Sequence, residues 1–290
     1  MSSANAPQMS KSLWRHALDS LKKDRYAMIA LAVVLLYTLI ALLSSIGVLG
    51  ANWSQEVGAS YAAPDMNNIF GTDIFGRSVL EKTIKGTEVA MSVGLVVALI
   101  AIAIGVVVGA IAGYFGGLID ELIVWFYTTF SSIPGIMLLV AITLIMGKGI
   151  IAVYLALGLT SWVQLARLIR GEVIKHKDRE YVQAASAIGS SHFRKLFIHI
   201  IPNVMHIVII NFSLQFQFAI KSEVILSYLG LGVQGQPSWG TMIDDAKLEL
   251  ARGVWWQLAA ATFAMFGVVL AFNILGDALR DALDPKLKGK

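Results

Sequence analysis

Two glycine-containing patterns resemble parts of nucleotide-binding motifs. Residues 230–235, GLGVQG, fit the G-x-G-x-x-G turn, whose glycines let the backbone approach a pyrophosphate. That fingerprint needs a preceding strand and a following helix, whereas here it follows a long apolar segment. We therefore interpret it as a turn. The lysine at GKG, 147–149, lacks the upstream glycine and the hydroxyl residue of a phosphate-binding loop, so any ATP must be bound by another chain.

Metal and nucleophile chemistry are not indicated either. The chain has no cysteine, which excludes disulfides, thiolate ligands and a thiol nucleophile. His192, His199 and His206 recur every seven residues, but no carboxylates accompany them and Pro202 interrupts the pattern. We predict that these histidines are solvated or interfacial. No Ser/His/Asp set lies on one face, so we expect no catalytic, cofactor-binding or metal-binding residues.

The elements that would position any functional residue are membrane-spanning helices. Hydrophobic residues make up 57% of the 290 residues and charged residues only 14%, against about 25% in a soluble domain. A spanning helix needs roughly 20 mainly apolar residues. We predict an all-α, polytopic membrane protein with six transmembrane helices, because six uncharged windows reach or approach that length: Tyr26–Ile46, Val89–Ile119, Leu122–Gly147, Gly149–Ala166, Leu196–Ile220 and Gly253–Gly276.

The distribution of lysine and arginine predicts the topology. Most of the 23 basic residues fall on one side of the membrane when the connections are assigned to alternate sides, and basic residues collect on the cytoplasmic side. Both termini are therefore predicted to be cytoplasmic, and the net charge of +4 reflects topology rather than nucleic-acid binding. The predicted regions are a cytoplasmic leader (1–25), a first transmembrane helix (26–46), an extracytoplasmic loop (47–88), a five-helix core (89–276) with a cytoplasmic loop (167–199) and an extracytoplasmic loop (221–252), and a cytoplasmic tail (277–290).

Small residues and prolines indicate where the helices pack and bend. The second window carries a ladder of small residues at four-residue spacing, which lets another helix approach closely; its members are Ala101, Gly105, Gly109, Gly113 and Gly117. We predict that the ladder serves internal packing rather than subunit contact. Pro134 predicts a kink in the third span, which could serve gating or simply be tolerated. After Arg77 we expect a helix along the membrane surface.

Polar side chains follow one face of the fifth window. They are Asn203, Asn211, Gln215 and Ser222. This stripe could line a translocation path for a polar solute or hydrogen-bond one helix to another, and the sequence leaves both interpretations open. Proton-coupled carriers need titratable groups deep in the bilayer. None of the six windows contains Asp, Glu, Lys or Arg, which argues against a secondary transporter.

The predicted cytoplasmic loop 167–199 has too much helical pattern for a solvated connection. The stretch from Arg167 reads as a helix that Gly189 ends. Ser190 or Ser191 can cap a second short helix, and Pro202 then starts the fifth span. Two short helices at an angle would present Tyr181, Phe193 and small alanines for contact, so we predict a docking element.

This loop resembles the EAA loop of ABC-importer permeases, in which Glu-Ala-Ala precedes a glycine and, later, an apolar–proline pair. The chain has Gln183-Ala184-Ala185, Gly189 and Ile201-Pro202 in that register, with Gln183 in place of the usual Glu and His199 at a usually apolar position. Further motifs in order, from about residue 12 to the C-terminus, resemble the C-type permease subunit of dipeptide and oligopeptide importers: GTDIFGRS (71–78), GYFGGLID (113–120), LSYLGLGVQ (226–234), PSWGTMI (237–243) and GDALRDALDPKLK (276–288).

The resemblance implies a type I ABC-importer permease fold in the bacterial cytoplasmic (inner) membrane. It also implies a half-channel in membrane lipid that pairs with a homologous B-type permease, two ATP-binding subunits that hold ATP and Mg, and an extracytoplasmic solute-binding protein. The permease itself would be non-catalytic. The residues that the resemblance assigns to ATPase coupling are Arg179, Glu180, Tyr181, Gln183, Ala184, Ala185, Gly189, Phe193 and Pro202.

The substrate stays open at this point. Nickel, glutathione and antimicrobial-peptide importers use closely similar subunits, and nothing in the sequence separates them from peptide importers. A stand-alone carrier or channel would need intramembrane ionisable residues or a filter motif, and the sequence shows neither.

Overall fold

A computed structural model describes residues 19–283, and the regular elements in that range are all helices. The predicted leader and tail therefore lie largely outside the described residues. The helices are α1 (Arg25–Ser45), α2 (Val79–Phe115), α3 (Gly117–Ser132), α4 (Gly135–Met146), α5 (Ile150–Thr160), α6 (Val163–Lys177), α7 (Glu180–Ala187), α8 (His192–Tyr228, with a π-helical turn at Lys195–Ile200), α9 (Trp239–Leu250) and α10 (Trp256–Leu283).

Five helical segments are long and apolar enough to cross a membrane. They are α1, α2, α5 continued by α6, α8 and α10. The pair α3 and α4 passes the same test only jointly, because the two helices meet at 90°. The prediction of an all-α protein with six spans is confirmed when this bent pair is counted as one span.

The third predicted span, Leu122–Gly147, is broken rather than kinked. Ile133 and Pro134 both adopt extended backbone conformations, with ψ of 129° and 124°, between the end of α3 and the start of α4. A proline disfavours helical geometry in the residue before it and has no N–H to donate. The disturbance predicted at Pro134 is therefore present, as a break with a 90° bend between α3 and α4 rather than a mild kink within one helix.

Three helices extend beyond their predicted bounds into regions that were predicted to be loops. The helix α2 already begins at Val79, after an N-cap at Ser78, so the surface helix expected after Arg77 is instead the start of the second span. The helix α8 continues to Tyr228, and α6 continues the fourth span to Lys177. The single helix predicted from Arg167 to Gly189 is therefore wrong, because α6 ends at Lys177 and a separate helix, α7, begins at Glu180. The predicted apolar windows ended at the first charged residue. In the folded chain the helices continue past such residues, because Lys82 has hydrogen-bond partners and Arg167 lines a cavity.

The glycine ladder joins α2 to α6. An added Cβ at Gly109 would overlap the carbonyl oxygen of Ala166 and lie 3.0 Å from its carbonyl carbon. At Gly113 it would lie 2.6 Å from the carbonyl oxygen of Arg170. Only glycine permits this approach, so the prediction of internal packing is confirmed. Gly117 has no atom within 4 Å of an added Cβ and takes no part.

A buried polar network joins the loop before α2 to α10. The Lys82 ammonium donates to Asp73 Oδ2 at 2.9 Å and to Gln257 Oε1 at 2.7 Å. Nearby, the Trp256 indole donates to the Thr72 carbonyl at 2.9 Å. Although burial opposes ionisation, Lys82 and Arg77 hold the pKa of the Asp73 carboxyl below its usual value. The network anchors the predicted extracytoplasmic end of the bundle.

Glu249, at the end of α9, lies close to this network without a hydrogen bond. Its side chain is buried, and neither carboxylate oxygen has a hydrogen-bond partner within the part of the chain that the structure describes. Burial raises the pKa of Glu249 to about 7, with Lys82 opposing that rise. The free energy of the folded state should therefore depend on the protonation of Glu249.

Candidate functional site

A cavity of about 800 Å³ lies between the bent pair α3–α4, the α5–α6 junction and α8. Two helix breaks border it, at Ile133 and at Ser161. Its lining is largely apolar, with a few polar side chains: Ser131, Thr160, Ser161, Gln164, Arg167, Asn211, Gln215 and Ser222. A mainly apolar cavity of this size with a few polar groups is typical of sites for small molecules.

The sequence left open whether the polar residues of α8 line a path or hydrogen-bond one helix to another, and the structure shows both arrangements among them. Gln215 Nε2 donates to the Ser161 carbonyl at 2.8 Å, which ties α8 to the α5–α6 break. Asn211 and Ser222 line the cavity together with Gln215. The amide of Asn203 donates instead to the His199 carbonyl of its own helix at 2.6 Å, and Asn203 is not part of the cavity lining. The structure thus brings three of the four predicted residues together.

Arg167 is a cavity residue that the sequence reasoning missed. It lies in α6 and lines the cavity with its guanidinium carbon 5.0 Å from the centre of the Tyr127 ring. The sequence reasoning placed Arg167 at the start of a cytoplasmic loop because the fourth window ended at Ala166. The available signal was helical spacing, since Thr160, Gln164 and Arg167 follow one another at intervals of four and three residues on one face.

The predicted coupling segment consists of α7 and the start of α8. Arg179 occupies the position before α7 and is exposed, as are Glu180, Gln183 and Ala184. The opposite face of α7 buries Val182 and Ala185. Val182 belongs to one apolar cluster with Val173 of α6 and with Leu196 and Ile200 of α8. The short helix packs chiefly against the π-helical turn at the start of α8.

Tyr181 and Gln183 are fixed by local hydrogen bonds. The Tyr181 hydroxyl lies 2.8 Å from His176 Nδ1, and burial raises the pKa of that hydroxyl. Gln183 Nε2 donates to the carbonyl of Asp178 at 3.0 Å. These contacts close the turn between α6 and α7, so the orientation of α7 follows that of α6.

Two features of the predicted docking element need correction. The second short helix is not separate, since Ser191 caps α8 and α8 then runs through Pro202 to Tyr228. A π-helical turn makes this possible: the Ile201 N–H donates to the Leu196 carbonyl, five residues back, next to the proline that has no N–H to donate. Pro202 therefore lies within the fifth span and does not start it. Ala185, expected to be available for contact, is buried.

The junction between α7 and α8 exposes apolar side chains. Ile188 is 84% exposed and Phe193 is 67% exposed. Gly189 lies between them with φ of +81°, a conformation that favours glycine. Phe193 stacks on Phe197 with ring centres 5.4 Å apart. Exposed apolar groups beside basic residues are typical of a protein contact surface.

The structure also places the other patterns that have chemical spacing. GLGVQG forms the loop between α8 and α9, which confirms its interpretation as a turn. His192 is exposed and its Nδ1 lies 2.9 Å from the Tyr114 hydroxyl, while His199 and His206 are partly exposed. Within residues 19–283 the structure contains no cluster of three or more His, Cys, Asp or Glu that could hold a metal ion.

Comparison with known proteins assigns most of the chain. Residues 105–289 match the family described as binding-protein-dependent transport system inner membrane component. Residues 12–64 match the N-terminal transmembrane domain of oligopeptide transport permease C. Together the two families span the described cavity, the α7–α8 segment and the first predicted span.

Several curated relatives are similar over nearly the full length. The oligopeptide transport system permease protein OppC of Bacillus subtilis (strain 168) is 33% identical over 96% of this chain and 92% of the relative. The dipeptide transport system permease protein DppC of the same organism is 35% identical over 99% and 89%. The glutathione transport system permease protein GsiD of Salmonella typhimurium (strain LT2) is 34% identical over 98% and 94%.

Proposed function

We propose a specific role in peptide import for this chain, which belongs to the inner-membrane permease components of binding-protein-dependent transport systems. It is a multi-pass inner-membrane permease subunit of an ABC importer of the oligopeptide and dipeptide type. Within that family role, the chain forms one half of the translocation pathway for dipeptides and oligopeptides. The observation that carries this proposal is the cavity of about 800 Å³ between the two helix breaks.

The cavity suits a short peptide for a chemical reason. A peptide carries amide donors and acceptors along an otherwise variable chain, and the cavity offers amide and hydroxyl groups among apolar side chains. The break at Ile133 and Pro134 separates α3 from α4 at 90°. Irregular backbone at membrane depth is tolerated where it lines a cavity. The homologous B-type permease supplies the other half of the pathway, and an extracytoplasmic solute-binding protein delivers the peptide.

Coupling to ATP uses the α7–α8 segment. In the proposal, two partner subunits bind ATP and Mg²⁺ and hydrolyse the ATP, and this chain catalyses no bond chemistry. The exposed Ile188 and Phe193 seat in one ATP-binding subunit. Movement of that subunit is transmitted to the cavity because Tyr181 of α7 is hydrogen-bonded to His176 of α6, and α6 is held to α2 by backbone contacts at Gly109 and Gly113. Arg167 and Gln164 lie on this same α6.

The Gly189→Leu variant tests the coupling role. No atom lies within 4 Å of an added Cβ at Gly189, so the change perturbs chiefly the backbone, whose φ of +81° disfavours a larger residue. We expect normal membrane insertion and ATP hydrolysis that no longer drives peptide uptake in proteoliposomes. Gly171→Leu in α6 is the control, because its added Cβ also has no neighbour within 4 Å and its φ is not positive. Coupled uptake at the wild-type rate in Gly189→Leu would contradict the proposed role.

Glutathione import is the second candidate function. The glutathione transport permease GsiD is 34% identical over 98% of this chain, close to the values for the peptide permeases. Glutathione is itself a tripeptide, so it fits the same cavity chemistry. Purification of the tagged chain from its own cells in mild detergent, with mass spectrometry of the co-purifying proteins, identifies the solute-binding protein. Its affinities for dipeptides, oligopeptides and glutathione then decide between the two candidates.

A further inference from the structure

Arg167 is a charged residue in an otherwise uncharged cavity. Of the described residues that line the cavity, only Arg167 carries a formal charge. Its neighbour Ala166 contacts Gly109, which lies six residues before the end of α2 at Phe115. A rise of 1.5 Å per residue places this contact about 9 Å inside the end of the helix. The backbone of Arg167 therefore lies on the α6 part of the span and not in a loop, and its side chain is exposed on the side that lines the cavity.

The guanidinium of Arg167 has no anionic partner among the described residues. Arg170, one turn further along α6, does have an anionic partner. Its Nε and one terminal nitrogen donate to the two carboxylate oxygens of Asp120 at 2.5 and 2.6 Å. Arg167 makes only the contact with the Tyr127 ring. That contact uses no N–H···O hydrogen bond, so the five N–H donors of Arg167 remain available.

An arginine in this position is costly unless it has a role. Arginines within spanning segments are rare, and they face cavities and mark substrate pathways. The planar guanidinium matches a carboxylate with two parallel hydrogen bonds, which an amide or a hydroxyl does not reproduce. Every linear peptide carries a carboxylate at its C-terminus, whatever its sequence.

We propose that Arg167 binds the C-terminal carboxylate of the transported peptide in the cavity. Gln164, one turn earlier on α6, and Asn211 on α8 lie on the same cavity wall and face the peptide amides. The Asn211 side chain donates to the Ile207 carbonyl at 2.9 Å through Nδ2, which leaves its oxygen to accept from a peptide N–H. This inference rests on the proposed function of the cavity as a peptide pathway.

The test compares two substrates that differ only in the carboxylate. The complete importer is reconstituted in proteoliposomes with its solute-binding protein, and ATP-dependent uptake of trialanine and of trialanine amide is measured. Any preference of the solute-binding protein for one substrate cancels in the ratio between variant and wild type, because the binding protein is unchanged. Expression level and the thermal unfolding midpoint of each variant report whether the fold is retained.

We expect Arg167→Gln to lower trialanine uptake by about tenfold or more, the loss typical of a hydrogen bond to a charged group, and to change trialanine amide uptake much less. Arg167→Lys keeps the positive charge but cannot donate two parallel hydrogen bonds, so its trialanine uptake should lie between those of Arg167→Gln and the wild type. Equal losses for both substrates would overturn the inference. If the equal loss of uptake by Arg167→Gln is seen only in vesicles that contain anionic lipid, Arg167 binds a lipid phosphate instead of the peptide.

Two other outcomes would also overturn the inference. Unchanged trialanine uptake by Arg167→Gln would show that the carboxylate is not bound there. Absence of ATP-dependent uptake of either peptide by the wild-type importer would refute the proposed function and the inference together. Wild-type uptake with no discrimination by Arg167→Gln would refute the inference alone, so the two failures are distinguishable.

Discussion

Gly109→Ala tests whether the seam between α2 and α6 depends on glycine. All three nearest atoms to an added Cβ at Gly109 are backbone atoms of Ala166, namely its carbonyl oxygen, carbonyl carbon and Cα. Backbone atoms cannot move aside by a change of rotamer, so relief requires the two helices to separate. Ordinary contact begins at 3.4 Å, so α6 would have to move by about 1 Å against a close-packed interior.

The expected size of the effect follows from that overlap. Inserting a methyl group into a well-packed core costs about 1–3 kcal/mol. Alanine is favoured over glycine in a helix by up to about 1 kcal/mol, which acts in the opposite direction. We therefore expect Gly109→Ala to lower the free energy of unfolding by about 1–2 kcal/mol, and the midpoint of thermal unfolding by a few degrees.

Gly171→Ala is the matched control on the partner helix. Its added Cβ would have no neighbour within 4 Å, so only the helix preference remains and the midpoint should stay level or rise. The measurement is thermal unfolding of the purified chain in one detergent, followed by loss of the monomer peak on size exclusion. Gly109→Ala and Gly171→Ala with the same midpoint, at or above wild type, would refute the reasoning.

Two further predictions concern the buried charges at the other end of the bundle. Glu249→Gln removes a carboxyl whose pKa burial raises to about 7 from an ordinary 4.5. The wild-type fold binds that proton more tightly than the unfolded chain, so it loses stability as the pH rises from 4.5 to 7. The variant and the wild type should have equal unfolding free energies near pH 4.5, whereas at pH 8 the variant should be more stable, by at most about 3 kcal/mol. A difference in thermal midpoint between the two proteins that does not change across this pH range would contradict the prediction. Lys82→Met removes one of the two basic partners of the buried Asp73; because Arg77 still pairs with that carboxylate, we expect the unfolding free energy to fall by about 1–3 kcal/mol. Lys85→Met breaks a more exposed pair with Glu88 and should cost under about 1 kcal/mol, and equal losses of midpoint in these two variants would count against the network.

The spans were predictable because lipid constrains them locally. A helix in hydrocarbon satisfies its own backbone hydrogen bonds, so a long apolar run is sufficient to indicate it. The close approach of another helix to Gly105, Gly109 and Gly113 was also predictable, since glycine spacing is a property of one helix. The identity of that other helix was not, because nothing in α2 specifies α6.

The bounds of the helices were less predictable than their existence. Lys82 was assigned to a surface helix within the extracytoplasmic region because it is charged, yet it lies in α2, where Asp73 and Gln257 compensate its burial. Pro134 indicated a disturbance, but the 90° angle between α3 and α4 depends on how each helix packs on its neighbours. Pro202 looked like a helix start, and the π-helical turn before it allows α8 to continue.

The amino-acid sequence by itself determined the class of protein, the membrane-spanning helices and the resemblance to peptide-importer permeases. These properties depend on residues that are neighbours in the chain or lie on one helix. Only the tertiary structure decided that Gln215 ties α8 to Ser161, that Asn203 lies outside the cavity, and that Arg167 lies inside it. Helical periodicity tells which residues share a face, whereas the groups that the face meets come from segments distant in the chain. The cavity exists only where two helix breaks, at Ile133 and Ser161, are brought together by packing.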